Sequence, residues 1–554
     1  MEGTVGTVAP AEARGWSLPW WVCPVLGWAL MVGFSLVLRP LLPVDETRYV
    51  SVAWEMWLRG DLLVPHLNGL PYSDKPPLLF WLIQLGWHAF GAEAWWPRLV
   101  PPLFGLANLF LTAALARRLW PDRPAVARLA PVVLLGFLLW GVYTTVLMFD
   151  MLVTTFVLLA MLGLYRARHE GGVRPWLWTG LALGLGILAK GPVALLPALG
   201  VVLLPSWWEE KERIPAATRL PRGGRWAGWV LAAILLAAAV ALAWAIPAAV
   251  SGGPAYADAI FRGQTEGRLV QSFAHSRPWW WYLALLPAFL FPYSAWVPLW
   301  KAAARLRWRS LEPAMRFCLA WAVPPLLVFS LISGKQPHYL LPLLPALALM
   351  GGRLLSDLPD TAPVVRLWHL LPPLSLLLIL GVALLLAPRL DDALDLPAWA
   401  GSVSPVIGAA ALLFCGALLV GFGRWRPRRI LPTLINVAFV LTAYVGFTEA
   451  GRHAYDLEPM ARYLKTIEEQ GRPIAFVGEY HGEMHFLGRL ERPFEEIATG
   501  QEVRWLRDHP TGRLVREFRR YPANAEKAEL LQPYRGDFLG VLGPDYVRSG
   551  LPSG

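Results

Sequence analysis

Long apolar runs separated by short polar stretches recur along most of this chain, and few folds can accommodate them. About 20 consecutive apolar residues, wound as a helix, cross the roughly 30 Å hydrocarbon core of a bilayer, and helices satisfy every backbone polar group internally. Such runs stand near 20–42, 97–116, 129–147, 149–164, 175–189, 191–206, 226–249, 279–299, 315–333, 338–352, 367–387, 402–422 and 430–449. They predict about thirteen membrane-spanning helices. With 56% hydrophobic and 16% charged residues over 554 positions, the chain is too apolar to be a soluble protein of this size. The first run is longer than a signal-peptide core and lacks a small-residue cleavage site, so it is expected to stay as an anchor. Cys23, Cys318 and Cys415 lie singly within apolar runs and suggest neither disulfides nor a metal cluster.

The formal charge of +11 would suit a nucleic-acid partner, but its placement argues otherwise. Basic residues collect in the loops after even-numbered spans: Arg117, Arg118, Arg123 and Arg128; Arg166, Arg168 and Arg174; Lys211 to Arg225; Lys301 to Arg309; Arg353 and Arg366; and Arg424 to Arg429. The positive-inside rule makes these loops cytoplasmic. The first loop (43–96), the 250–278 loop and the tail are then extracytoplasmic. No nucleic-acid partner is expected. The tail, 451–554, is rich in charge, with strand-like Ile474–Val477 and Phe538–Leu542 and helix-like Leu457–Glu469. The chain therefore reads as an all-α polytopic membrane protein (1–450) followed by a small α/β extracytoplasmic domain.

Within the first loop, "DETRYVSVAWEMWLRG" places Tyr49, Val52, Ala53, Met56 and Trp57 at helical spacing, with Asp45 able to cap the start and Gly60 the end. An amphipathic helix on the membrane surface is predicted. Amphipathicity does not explain Asp45 and Glu46, two adjacent acids where the first span leaves the bilayer, a costly position unless they are solvated, paired or used. Further polar residues fall on the same predicted face: Tyr72, Asp74 and Lys75 before the second span, Asp150 between the third and fourth, and Lys190 between the fifth and sixth. Arg268 and His275 follow the seventh, and Lys335, His338 and Tyr339 lie between the ninth and tenth. Taken singly, Lys190 or Lys335 would be a snorkelling helix end, Asp150 a helix cap and His275 a surface loop residue. Together they form a polar site at one interface. Secondary transporters usually bind near the midplane between repeated halves, so a lipid flippase or transporter is the weaker alternative, beside a polysaccharide ligase using a diphosphate-linked donor.

Cations at an interface suit a lipid phosphate, and a carboxylate among them can accept a proton from an acceptor hydroxyl. Sugar transfer from a polyprenyl phosphate needs those parts, because the phosphate leaves without a general acid.

The stretches "DETRYVSVAWEM", "LPYSDKPPLLFWL", "LAKGPVALLP", "EGRLVQSFAHSRPWWWY" and "SLISGKQPHYLLPLLPALAL" resemble, in order and spacing, the bacterial GT-C glycosyltransferases: the dolichyl-phosphate-mannose-protein mannosyltransferase-like proteins and the lipid A aminoarabinose transferases. The resemblance covers about 20–350 with specific motifs. It implies a GT-C fold, catalysis by Asp45 with Glu46 beside it, and donor-phosphate binding by Lys75, Arg48, Lys190 and Arg268. Asp74 and His275 stand where the aminoarabinose enzymes hold a divalent metal (zinc, magnesium or manganese), with Asp74 in place of a glutamate. Tyr49, Tyr72, Asp150, Lys335, His338 and Tyr339 would line the site. The implied partners are a polyprenyl-phosphate sugar, a membrane lipid or glycan acceptor, and the bilayer of a bacterial inner membrane. The sugar stays open, because "YSDKPPLLFW" at 72–81 departs from the aminoarabinose pattern. In the tail, "VGEYHGEMHFLGR" brings His481, Glu483 and His485 together, as a metal site or, more simply, an exposed strand and turn.

Overall fold

The computed structural model describes residues 19–209, 224–262, 276–358, 365–394, 400–422, 424, 428–522 and 524–548. Each predicted span coincides with helix. Helix α1 (Val22–Leu38) leads into the first loop, which contains α2 (Asp45–Arg59), the hairpin β1–β2 (His66–Leu67, Leu70–Pro71) and α3 (Leu78–Phe90). Helices α4 (Trp95–Leu119), α5 (Pro124–Leu135), α6 (Leu138–Tyr143), α7 (Asp150–His169) and α8 (Arg174–Lys190) follow, then apolar helices as far as Leu431–Tyr455. Among the described residues seven helices are long and apolar enough to cross a membrane, with further shorter apolar ones beside them. The protein is a multi-pass membrane protein.

Two spans expected to be continuous are broken. Residues 129–147 divide into α5 and α6, and 279–299 into Trp281–Phe289, Tyr293–Ala295 and Val297–Ala303. The breaks meet: the Leu138 N–H donates to the Phe291 carbonyl at 2.8 Å, so an amide freed from one helix is satisfied by a carbonyl freed from another. Helices α7 and α8 cross at Gly163, where a Cβ would lie 2.3 Å from Thr179 Oγ1. A small residue at that point permits the close approach.

One face of the bundle is tied by ion pairs between the basic loops. Arg118 pairs with Glu170 and Arg123 with Asp357, while Arg353 bridges Glu312 and Asp357. The first loop and the tail meet on the opposite face.

Helix Leu431–Tyr455 runs a few residues past the expected boundary at 450 before the tail domain begins with helix Glu458–Glu469. The tail's sheet has the order β4 (Glu495–Ile497), β3 (Ile474–Val477), β5 (Arg513–Phe518), β7 (Asp537–Leu542), β6 (Leu530–Tyr534). Strand β3 is parallel to β4 and β5, and β7 is antiparallel to β5 and β6. Every side chain of β3 is buried, as both faces of a covered α/β sheet require. Met460, Leu464 and Val515 pack on one side, and Trp505, Leu514 and Tyr546 on the other.

Candidate functional site

Helix α2 is the floor on which the site is built. Its start is not capped by Asp45: Val44 occupies the cap position, Asp45 is the first helical residue, and no side chain bonds the free amides. Its end matches expectation, with Gly60 left-handed at φ 66°. The surface-lying helix of the sequence reading also acquires a second cover, because the tail docks on it. Ser51 Oγ donates to the Gly482 carbonyl at 2.5 Å and accepts from the Phe486 N–H at 3.1 Å, while Trp54 Nε1 donates to the Leu490 carbonyl at 2.9 Å. Asn68 in the hairpin exchanges two hydrogen bonds with the Phe494 backbone, and Phe486 stacks on Trp87 of α3 at 5.3 Å. Thus α2 lies between the bundle and the tail.

The two adjacent acids have opposite fates. Glu46 is 1% exposed and forms a two-pronged ion pair with Arg39. It also accepts from the Leu42 N–H at 2.8 Å and the Leu147 N–H at 2.7 Å. Burial raises its carboxyl pKa, but Arg39 and the two amides outweigh burial and hold it below the ordinary carboxylate range. With four hydrogen bonds received, Glu46 has no lone pair free for an acceptor hydroxyl; it locks the exit of α1 and the start of α2 to the turn before α7. This corrects its expected catalytic role. Arg39 and Arg98, the latter donating to the carbonyls of Ser35 and Leu36 at the end of α1, were missed by sequence reasoning. The only prior signal was an arginine seven residues before a buried acid.

Asp45, by contrast, is exposed and, among the described residues, accepts only a long 3.4 Å bond from the Tyr49 hydroxyl. One turn on, Arg48 stands in the field of Asp45, Asp74 and the hydroxyls of Tyr49 and Tyr72. Burial first, then Asp45 for Tyr49 and Asp74 for Tyr72, pushes both phenols well above their ordinary range, so they remain protonated hydrogen-bond donors. Exposed Asp74 and half-buried Lys75 follow in the bend before α3.

A second group closes the other side. Asp150 opens α7 without capping it and instead takes the Lys190 ammonium at 2.6 Å. Gly191, at φ 87°, turns the chain away immediately after Lys190, which fixes the lysine at the end of α8. The Lys190 ammonium lies 5.0 Å from the centre of the Tyr339 ring, and His338 packs between Tyr339 and Tyr143. Tyr143, absent from the sequence reading, packs against His338 at 5.7 Å between ring centres and so belongs to this second group.

Other expectations fare differently. Lys335 is buried with its ammonium on the backbone carbonyls of Arg277 and Ile332, so it fastens two chain segments and does not reach into the site. Arg268 and His275 lie outside the described residues. Among the described residues no three acids, histidines or cysteines gather as a metal set, and Asp74 lies within electrostatic reach of Tyr72 and Arg48. The tail motif is neither a metal site nor an exposed turn: Glu483 and His485 are 6% and 7% exposed, and His485 bonds the Tyr480 hydroxyl and the Arg492 carbonyl. A hollow of about 330 Å³ opens at the far end of α2, but Glu55 there already holds Arg59 and the Gly69 amide. The chemistry gathers at the Asp45 end.

Residues 74–244 match the family described as dolichyl-phosphate-mannose-protein mannosyltransferase. The chain is 33% identical over 351 residues to undecaprenyl phosphate-alpha-4-amino-4-deoxy-L-arabinose arabinosyl transferase 1 of Pseudomonas fluorescens, covering 62% of this chain and 60% of that protein. It is 30% identical over 422 residues to the Erwinia tasmaniensis enzyme of the same name, covering 74% and 73%. The chain thus spans well under two thirds of the length of several Pseudomonas relatives and nearly three quarters of the Erwinia one. The crystal structure of ArnT from Cupriavidus metallidurans bound to undecaprenyl phosphate shares the fold, with a TM-score of 0.71 at 21% identity over 95% of this chain and 98% of that one. The overall fold is therefore shared, and the chain belongs to the dolichyl-phosphate-mannose-protein mannosyltransferase-like family that includes the undecaprenyl-phosphate aminoarabinose transferases, with its GT-C fold.

Proposed function

We propose that this protein is a glycosyltransferase of the bacterial inner membrane, moving a sugar from a polyprenyl-phosphate donor to an acceptor on the extracytoplasmic face, where the tail domain also lies. The observation that carries the reading is the division of labour in α2: Asp45 is open beside Arg48, while its neighbour Glu46 is consumed by Arg39. The acceptor hydroxyl, of a membrane lipid or glycan, attacks the anomeric carbon from the face opposite the phosphate. The new C–O bond forms as the old one breaks, the electron pair leaves on the polyprenyl phosphate, and the acceptor proton passes to Asp45. The anomeric configuration inverts. Arg48 and Lys75, with Arg268, hold the phosphate and its developing charge, while Lys190, expected to join them, is spent on Asp150, and the neutral Tyr49 and Tyr72 hydroxyls donate to sugar or phosphate oxygens. The Asp74–His275 pair is the candidate holder of a divalent metal, which would supply further charge to the phosphate; no step is assigned to it.

The names of the relatives make undecaprenyl-phosphate aminoarabinose the first donor to test, within a panel of pentosyl and hexosyl polyprenyl phosphates. Purified protein in native lipid extract is expected to release polyprenyl phosphate from one of them and Asp45→Asn to release almost none. Full turnover by Asp45→Asn, or consumption only of diphosphate-linked donors, would sink the reading. Because Arg48 and Lys75, with Arg268, would already neutralise the phosphate in this reading, chelator is expected to slow transfer by less than about threefold. A loss above roughly tenfold would move the metal pair into the phosphate site.

A further inference from the structure

The buried Arg39–Glu46 pair joins several pieces of chain at one point. Arg39, the residue after α1, forks onto Glu46, and its Nη2 also donates to the Thr145 carbonyl at 2.9 Å. Its Nε donates to Ser35 Oγ in the last turn of α1 at 3.2 Å, and the Thr145 hydroxyl bonds Tyr444 of helix Leu431–Tyr455. Glu46 gives one oxygen to the Leu42 N–H and the other to the Leu147 N–H. Thr145 and Leu147 lie in the turn between α6 and α7, and Asp150 opens α7 three residues after Leu147. Asp45 is the residue before Glu46. The pair therefore grips both turns that carry the acids of the site, one residue from Asp45 and three from Asp150. A ring contact repeats the tie, because Tyr49 of α2 meets Phe149, the neighbour of Asp150, edge-on at 4.9 Å.

We propose that Arg39 is a positioning residue for sugar transfer: through Glu46 and Thr145 it fixes Asp45 against the Asp150–Lys190 pair, so that the two halves of the site keep one spacing. Stability alone does not call for an ion pair here, since a buried pair is often no better than packed apolar side chains. What a planar, forked guanidinium adds is direction: it reaches a carboxylate and a carbonyl at once and leaves neither free to turn. Placement of that kind matters to a reaction, where an error of about 1 Å can cost about 10²-fold in rate. The inference rests on the glycosyltransferase reading and deepens it by naming what sets the geometry of its site.

The test removes both charges together in the full-length protein. Arg39→Met with Glu46→Gln leaves no lone buried charge, so its unfolding midpoint in detergent is expected to recover most of what Glu46→Gln alone loses. Its kcat, with the polyprenyl-phosphate sugar that wild type consumes, is nonetheless expected to fall about 10- to 100-fold, with affinity for titrated undecaprenyl phosphate within about twofold. Arg39→Lys, which keeps the charge but not the fork, is carried in parallel and should show the same split to a smaller degree. Tyr49→Cys with Phe149→Cys reads the placement without substrate: a short thiol cross-linker should join them in high yield, and lose most of that yield when Arg39 is changed. Wild-type kcat in the folded double variant, or unchanged cross-linking, would overturn the positioning role and leave the pair a fold element. Affinity that falls in step with kcat would overturn it too, making Arg39 a binding group. Wild-type protein that consumes no polyprenyl-phosphate sugar would sink the glycosyltransferase reading, while cross-linking would still decide whether Arg39 places α2.

Discussion

Two faces of the bundle carry charge, and they treat it differently. On the face of the basic loops, Arg123, Arg353, Glu312 and Asp357 form a continuous ion-pair web, and Arg118 and Glu170 form another. Most of these groups are wet, so the pairs are individually weak and serve to draw loops together. On the opposite face only some charges are spent inside the protein. Arg39–Glu46 and Asp150–Lys190 are buried, and they hold a floor and a wall beside which Asp45 and Asp74 stay exposed. Buried pairs are costly unless fully hydrogen-bonded, and Glu46 is. One face seals ion pairs in its interior beside an exposed Asp45, while the other pairs its charges in water.

Four measurements would break or sharpen that contrast. The largest effect is expected from Asp45→Asn, which should lower kcat by about 10²- to 10⁴-fold while leaving undecaprenyl-phosphate binding nearly intact. Equal loss of both would make Asp45 a binding group. Next, Glu46→Gln should leave Arg39 buried without its counter-charge and destabilise the fold by about 3–5 kcal/mol, read as a lowered unfolding midpoint in detergent. Because the folded-state pKa of Glu46 is depressed, the pair's contribution is complete above the unfolded carboxylate pKa and declines as pH falls through the folded value. The wild-type midpoint should therefore drop on acidification more steeply than that of Glu46→Gln, and parallel pH curves would refute the lock. Third, Lys75→Ala should raise donor KM about tenfold with a smaller change in kcat; a kcat effect alone would place Lys75 with the acceptor. The smallest effect belongs to Arg123→Gln on the web face, where both partners are about half exposed: below about 1 kcal/mol of stability and no change in transfer.

The spans, the single-sided placement of polar groups and the tail's α/β character were legible because each is periodic or local: apolar runs, alternating basic loops, "IAFV" as a buried strand. The broken spans 129–147 and 279–299 were not, since each break is stable only because the other supplies its hydrogen-bond partner. Lys335 and Lys190 look alike in sequence, each basic and close to a helix end before a proline. One is spent on backbone carbonyls and the other faces Asp150 and Tyr339.

The sequence by itself determined that this chain spans a membrane many times and that its basic loops divide from its acidic first loop and from its tail, because hydropathy and charge act through composition over short windows. Only the tertiary structure decided which of two neighbouring acids stays exposed and that the tail docks on α2 at Ser51. Those outcomes depend on partners far away in the chain, Leu147 for Glu46 and Gly482 for Ser51, and distance in sequence carries no record of such contacts.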